Sequence, residues 1–222
     1  MNLNDPKYDL TPEEKESPAL NNRIYIAGPM TGYENHNFPA FNAMEDLLIK
    51  EGYTNIINPA KHFNGDTTLP WHVYIAYDLR KLITCNIATF LDNWESSKGC
   101  QLEYLFCSTV EIPMYDENGD QIPPDTDYLP EAEELVNGDR ASSYGHPYDD
   151  FKRQAEMISM WVGRAISPLD IPFFWIASKI SRNLHTEKRD NLVDFCGYLL
   201  CFKKTLEKVS ELKATKGTQD AE

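Results

Sequence analysis

A parallel β-sheet flanked by helices, joined to a small all-α unit, is the architecture that three features of this 222-residue chain predict. Short apolar runs alternate with segments of helical period from Arg23 to Asp116. An acidic stretch with Pro123, Pro124 and Pro130 and no Lys or Arg then occupies 117–138. Everything beyond it has helical period only.

Residues 1–21 carry prolines and alternating charge without apolar period and read as a flexible leader. Ile24-Tyr25-Ile26-Ala27 is a β-type run that ends in the glycine-bearing loop Gly28-Pro29-Met30-Thr31-Gly32. Phe41, Met44, Leu47 and Leu48 give a helix over Phe38 to Glu51, with Gly52 as its C-cap. Tyr53 to Asn58 reads as the second strand. His62 to Trp71 is polar, with turn chemistry at Asn64-Gly65-Asp66, and Pro70 opens a helix to about Thr84. Its buried face is Val73, Ile75, Ala76, Leu79, Leu82 and Ile83. Ile87 to Leu91 is the third strand, Asp92 to Lys98 a loop, Gly99 to Thr109 a helix and Val110 to Met114 a fourth strand. Strands alternating with helices make this unit, 22–116, a Rossmann-like α/β domain, whose ligands bind at the carboxyl ends of the strands.

The stretch 117–138 reads as an acidic linker or a short connector helix. Helices over Asp150 to Gly163, Asp170 to His185 and Arg189 to about Leu212 make 139–212 a small helical domain, followed by a flexible tail at 213–222. The set Trp161, Phe173, Phe174, Trp175, Phe195, Tyr198 and Phe202 is expected to be its core. A unit this small is stabilised by docking or by oligomerisation, so a homo-oligomer is expected.

Charge and composition narrow the function. With 35 Asp+Glu against 21 Lys+Arg, a formal charge of −14, long nucleic acid is a poor partner. No run reaches the roughly 18 apolar residues of a membrane span, and the polar N-terminus has no signal-peptide pattern, so no membrane is expected and the location is cytoplasmic. Cys85, Cys100, Cys107, Cys196 and Cys201 lie in apolar stretches without a CxxC pair and read as buried thiols.

Two loops that follow strands should share one edge of the sheet: Gly28 to Gly32, and Asp92 through Glu103. Ser97 and Gly99 stand where a helix begins, which suits a phosphate. Glu103 lies one turn further in, where a carboxylate could attack a sugar carbon of the same ligand. The plainer alternative makes Ser97 only an N-cap, Gly28 only a turn glycine and Glu103 an exposed helix carboxylate.

IYIAGPMTG, Asp78 on the central helix and LDNWESSKGCQLE together resemble the nucleoside 2-deoxyribosyltransferase and deoxynucleoside 5′-monophosphate N-glycosidase superfamily over about residues 23–116. The Ser-x-Gly-x-x-x-Glu spacing, Ser97-Lys98-Gly99-Cys100-Gln101-Leu102-Glu103, is the most specific part. The resemblance implies cleavage of the N-glycosidic bond of a deoxynucleotide or deoxynucleoside without a cofactor, by water or by a second base. It implies Glu103 as nucleophile, Asp78 protonating or orienting the base, and Asp92 supporting sugar or base. Tyr25, Gly28, Pro29, Met30, Ser97 and Gly99 would bind substrate. Cys85-Asn86 stands where relatives have Ala-Asp, with Asn86 still able to cap, and the Trp94-Glu95-Ser96 loop is expected to shape the base pocket. The IAGPMTG form also resembles phage-encoded proteins.

In the second unit, Gly138-Asp139-Arg140 and Tyr144-Gly145-His146-Pro147 form a loop, with His146 and His185 read as loop-end polar residues. Asp190 and Asp194 are four apart and share a helix face, where Mg²⁺ could offset their repulsion and Lys179 and Arg182 could take phosphate oxygens. Otherwise Asp190 pairs with Lys188 or Arg182 and Asp194 pairs locally. This run resembles phage nucleotide-modification-associated helical domains and, more distantly, MazG-type nucleoside triphosphate pyrophosphatases. Their Glu-x-x-Glu is represented by Glu156 alone, so Glu156, Asp190 and Asp194 are the candidate Mg²⁺ ligands. The competing functions are therefore sequestration of a nucleotide-derived ligand and Mg²⁺-dependent pyrophosphatase activity in the helical unit.

Overall fold

The computed structural model describes residues 23–138 and 145–219, with side chains as far as residue 215. The expected leader at 1–21, the loop residues Asp139, Arg140 and Tyr144, and the end of the tail lie outside the described residues. The chain divides into two compact units between Pro124 and Asp125.

The first unit contains β1 (Arg23–Ala27), α1 (Phe38–Lys50), β2 (Asn55–Ile57), α2 (Trp71–Leu82), β3 (Ile87–Phe90), α3 (Lys98–Val110), β4 (Met114–Asp116) and β5 (Gln121–Ile122). Its sheet has the order β2-β1-β3-β4-β5, with β1 through β4 parallel and β5 antiparallel at the edge. The chain leaves β1 for β2 on one side and returns to β3 on the other. The carboxyl ends of β1 and β3 therefore frame the crevice where the strand order reverses.

Side-chain alternation along β1 divides the core. Ile24 and Ile26 pack with Phe41, Met44 and Leu48 of α1 on one face. Tyr25, of opposite parity, meets α3 on the other. Leu47 is 43% exposed, because Phe41, Met44 and Leu48 already fill the inward stripe of α1. On α2, Ile75, Leu79 and Leu82 are buried as expected, but Val73 and Ile83 are half-buried and Ala76 is exposed. Gly52 closes α1 at φ +97°, a conformation that disfavours a side chain. Asn86 does not cap the helix as expected; its Oδ1 instead accepts from the Arg23 N–H at the start of β1 (3.1 Å), and the helix C-cap is Ile83.

The fourth strand lies further along than the sequence suggested. Helix α3 runs to Val110; Glu111 then takes φ 63° and the Ile112 N–H reaches back to the Cys107 carbonyl (2.9 Å), a Schellman closure. The strand starts only at Met114. Of the two readings of 117–138, the connector helix is found, at residues 129–137, while the start of the stretch joins the sheet, β4 turning through Gly119 into β5.

The second unit consists of α4 (Leu129–Asn137), α5 (Pro147–Val162), α6 (Ile171–His185) and α7 (Arg189–Gln219). Arg189 fastens the segment leading into α4 onto α7: Nη1 and Nη2 donate to the Asp127 carboxylate and carbonyl, Nε donates to Glu131, and the guanidinium lies over the Tyr128 ring. Phe151, Ala155 and Ile171 form a core cluster, and Phe195 and Phe202 are buried. The expected aromatic core is only partly inside, since Trp161 is 79% exposed and Phe174 and Trp175 are each a little over two-fifths exposed. Helix α7 continues past 212 to Gln219, where a flexible tail was expected. Among the described residues no helix is long and apolar enough to cross a membrane.

Candidate functional site

A cavity of about 220 Å³ opens at the crevice of the first unit. Gly28, Met30 and Thr31 reach it from the loop after β1, and Ser97, Gly99, Cys100 and Glu103 from the first turns of α3. Both loops thus meet at one edge, as the strand positions required. Asp78 and Ile75 come from α2, and Phe38, Trp71 and Tyr74 supply aromatic wall.

Glu103 lies in the cavity wall. It is 5% exposed, which removes the alternative that it is an exposed helix carboxylate. The fully buried Tyr25 hydroxyl donates to its Oε1 at 2.6 Å. Burial, with the nearby Asp78 carboxylate, pushes the Glu103 carboxyl up to about 8; hydrogen bonds from Tyr25 and Cys100 pull it down less strongly. Burial also drives the Tyr25 hydroxyl and the Cys100 thiol upward, so both remain protonated and able to donate.

Asp78 does not stand alone. His62 Nδ1 lies 2.7 Å from Asp78 Oδ1, and both side chains line the cavity. The His62 ring packs edge-on against Tyr77 (4.9 Å between centroids) and near Phe63. His62 follows the Asn58-capped turn at Pro59 and precedes Phe63 and Asn64, whose φ angles of 52° and 58° fold the chain back on itself. Sequence reading missed this histidine, because a residue in an irregular polar turn has no periodicity. The cue was present in the helix-opening Asn58-Pro59 four residues earlier.

Gly28 is required by space. A Cβ there would sit 2.7 Å from Leu91 Cδ1 and 3.0 Å from Phe41. Gly99 differs, since its Cβ would meet Ser97, Trp71 and Ile75 only at ordinary contact distances, 3.7–4.0 Å. Ser97 caps α3, its Oγ accepting from the Cys100 N–H (3.4 Å).

Three expected site residues lie elsewhere. Asp92 is exposed and does not line the cavity; its oxygens accept from the backbone and side-chain N–H groups of Asn93, which it holds in a left-handed turn. Pro29 does not line the cavity either, and its carbonyl anchors Asn37 Nδ2 (3.0 Å). Tyr25 lies behind the cavity wall and reaches it only through its hydrogen bond to Glu103. Trp94 packs against Phe90 and Tyr104 and does not line the cavity, whose aromatic wall is Phe38, Trp71 and Tyr74.

In the second unit, Asp194 is ion-paired with Lys179 of α6, so the repulsion from Asp190 is offset by a lysine of this chain. Asp190 and Glu156 are exposed. Among the described residues no three His, Cys, Asp or Glu side chains are grouped to hold a metal. His146 caps α5, Nδ1 accepting from the Tyr148 N–H (3.2 Å).

Residues 22–116 match the model of a domain of unknown function (DUF4406), and residues 127–206 match that of a second (DUF6378). The chain is similar to the Gene 55 protein of Mycobacterium phage D29, 36% identical over 84 residues that take in 37% of this chain and 56% of that protein. The chain thus spans little more than half the length of this curated relative. No solved structure matches it significantly.

Proposed function

We propose that the α/β unit cleaves the N-glycosidic bond of a 2′-deoxynucleoside or its 5′-monophosphate, with Glu103 as the nucleophile. The observation that carries this reading is a carboxylate buried in the cavity wall, oriented by a hydrogen bond from a buried tyrosine. A carboxylate that only stabilised the fold would not be left against open space at this energetic cost.

The chemistry follows from the arrangement. Glu103 forms a bond to C1′ while the bond from C1′ to the base breaks, leaving a glycosyl ester that water or a second base resolves. Tyr25 keeps the attacking oxygen in place. The start of α3, with Ser97 and the side-chain-free Gly99, receives the 5′ end, where helix amides favour a phosphate. Phe38, Trp71 and Tyr74 offer the base an apolar enclosure.

The test is a chromatographic assay of the full-length protein against each deoxynucleoside and monophosphate, wild type beside Glu103→Gln. Free base from the wild type, falling at least about 1,000-fold in the variant, is expected. Absence of base from every substrate overturns the proposal. Stoichiometric binding that survives Glu103→Gln would then favour sequestration.

A further inference from the structure

We infer that His62, held by Asp78, is the acid that protonates the departing base; this rests on the glycosidase reading and deepens it. The sequence pointed to Asp78 alone for that task. In the structure the Asp78 oxygen nearest the ring is taken up by His62 Nδ1 at 2.7 Å, and the two side chains are only 12% and 16% exposed. A carboxylate so engaged fixes the imidazole with Nδ1–H toward itself and leaves Nε2 for whatever occupies the cavity that His62 lines. Tyr77 and Phe63 pack on the ring and restrict its rotation. The cavity then holds a nucleophile, Glu103, and a separate proton donor, His62, on different elements, which is what a displacement with a poor leaving group requires.

The steps balance. As Glu103 Oε bonds to C1′, the electron pair of the C1′–N bond passes to the base, and the Nε2 proton of imidazolium His62 passes to a ring nitrogen or carbonyl oxygen of the base. The base leaves neutral, and His62 stays neutral with Nδ1–H on Asp78. Water then attacks C1′, giving one proton to Nε2 and releasing Glu103 as carboxylate. The sum is nucleotide plus water to sugar phosphate plus free base. Bases that leave poorly unless protonated are the class for which this donor matters most.

Leaving-group dependence tests it, because a structural role for His62 would not produce one. Wild type, His62→Ala, His62→Gln, Asp78→Asn and Glu103→Gln are assayed for base release from dGMP and N7-methyl-dGMP, and from dUMP and 5-fluoro-dUMP. The N7-methylated base already carries positive charge and needs no proton. The His62 variants are expected to lose about 100- to 10,000-fold on dGMP or dUMP, but under about 10-fold on N7-methyl-dGMP, with a smaller loss on 5-fluoro-dUMP than on dUMP. Asp78→Asn should follow the same pattern less severely, and Glu103→Gln should lose all substrates alike. Equal losses on both members of a pair in the His62 variants, or no loss on any substrate, would overturn the role of His62 and leave that of Glu103 standing. No base from any of the four substrates with the wild type would overturn the glycosidase reading and this inference with it.

Discussion

At the scale of single residues, the account turns on the proton of Glu103. With the carboxyl pushed up to about 8, only about a tenth of the free protein carries the reactive carboxylate at pH 7. For N7-methyl-dGMP, whose base needs no proton from His62, base-release kcat/KM should therefore climb with pH along a limb centred near 8. Tyr25→Phe removes a hydrogen bond that holds this group down, so the limb should move to higher pH and the rate at pH 7 should fall by about 10- to 100-fold. The same proton governs stability in the opposite sense. A carboxyl whose folded value stands above its unfolded value, near 4.3, contributes fully below that pH and loses its contribution as pH rises through about 8. Glu103→Gln stays neutral throughout. Its melting temperature relative to wild type should thus increase from pH 5 to pH 9, by at least about 5 °C. A difference that stays flat with pH would show that the carboxyl is not buried against charge as described.

At the scale of elements, the two glycines of the crevice separate packing from binding. Gly28→Ala drives a methyl group into Leu91 and Phe41 and should cost about 1–3 kcal/mol in denaturant unfolding. Gly99→Ala meets only ordinary contacts, so the fold should survive while the new methyl narrows the cavity beside Ser97 and Trp71. The expected readout is a raised KM with near-normal unfolding. These elements were also the most legible part of the sequence. Alternation of apolar runs with helical period placed β1, α1, α2, β3 and α3 within a few residues, and the switch of strand order at β1 and β3 then brought Gly28, Ser97 and Glu103 together. Positions set by local geometry were less visible. A residue in a left-handed C-terminal closure, Glu111, displaced β4 beyond its expected start. Asp92 sits beside the cavity in sequence, yet its carboxylate is used up in turning the chain at Asn93. His62 reaches Asp78 only because the turns at Phe63 and Asn64 reverse the chain, which no periodicity encodes.

At the scale of the whole molecule, the proposed glycosidase reading asks an acidic chain to admit an acidic substrate. The formal charge is −14, and the cavity carries Asp66, Asp78 and Glu103 with no Lys or Arg among the described residues of its wall. Salt should screen the resulting repulsion. KM for a deoxynucleoside monophosphate is expected to fall as NaCl rises from about 50 to 500 mM, with KM for the uncharged nucleoside nearly constant. A monophosphate KM that rises with salt would show that an attractive cationic contact outweighs the acidic wall and would contradict this expectation. The most direct test of the central claim is intact-protein and peptide mass spectrometry after incubation with a 2′-deoxy-2′-fluoroarabinosyl nucleoside 5′-monophosphate, whose electron-withdrawing fluorine slows breakdown of a glycosyl ester more than its formation. The account predicts one sugar phosphate adduct per chain, mapped to Glu103 and missing from Glu103→Gln. An adduct on another residue, or turnover to free base with full activity in Glu103→Gln, would contradict it.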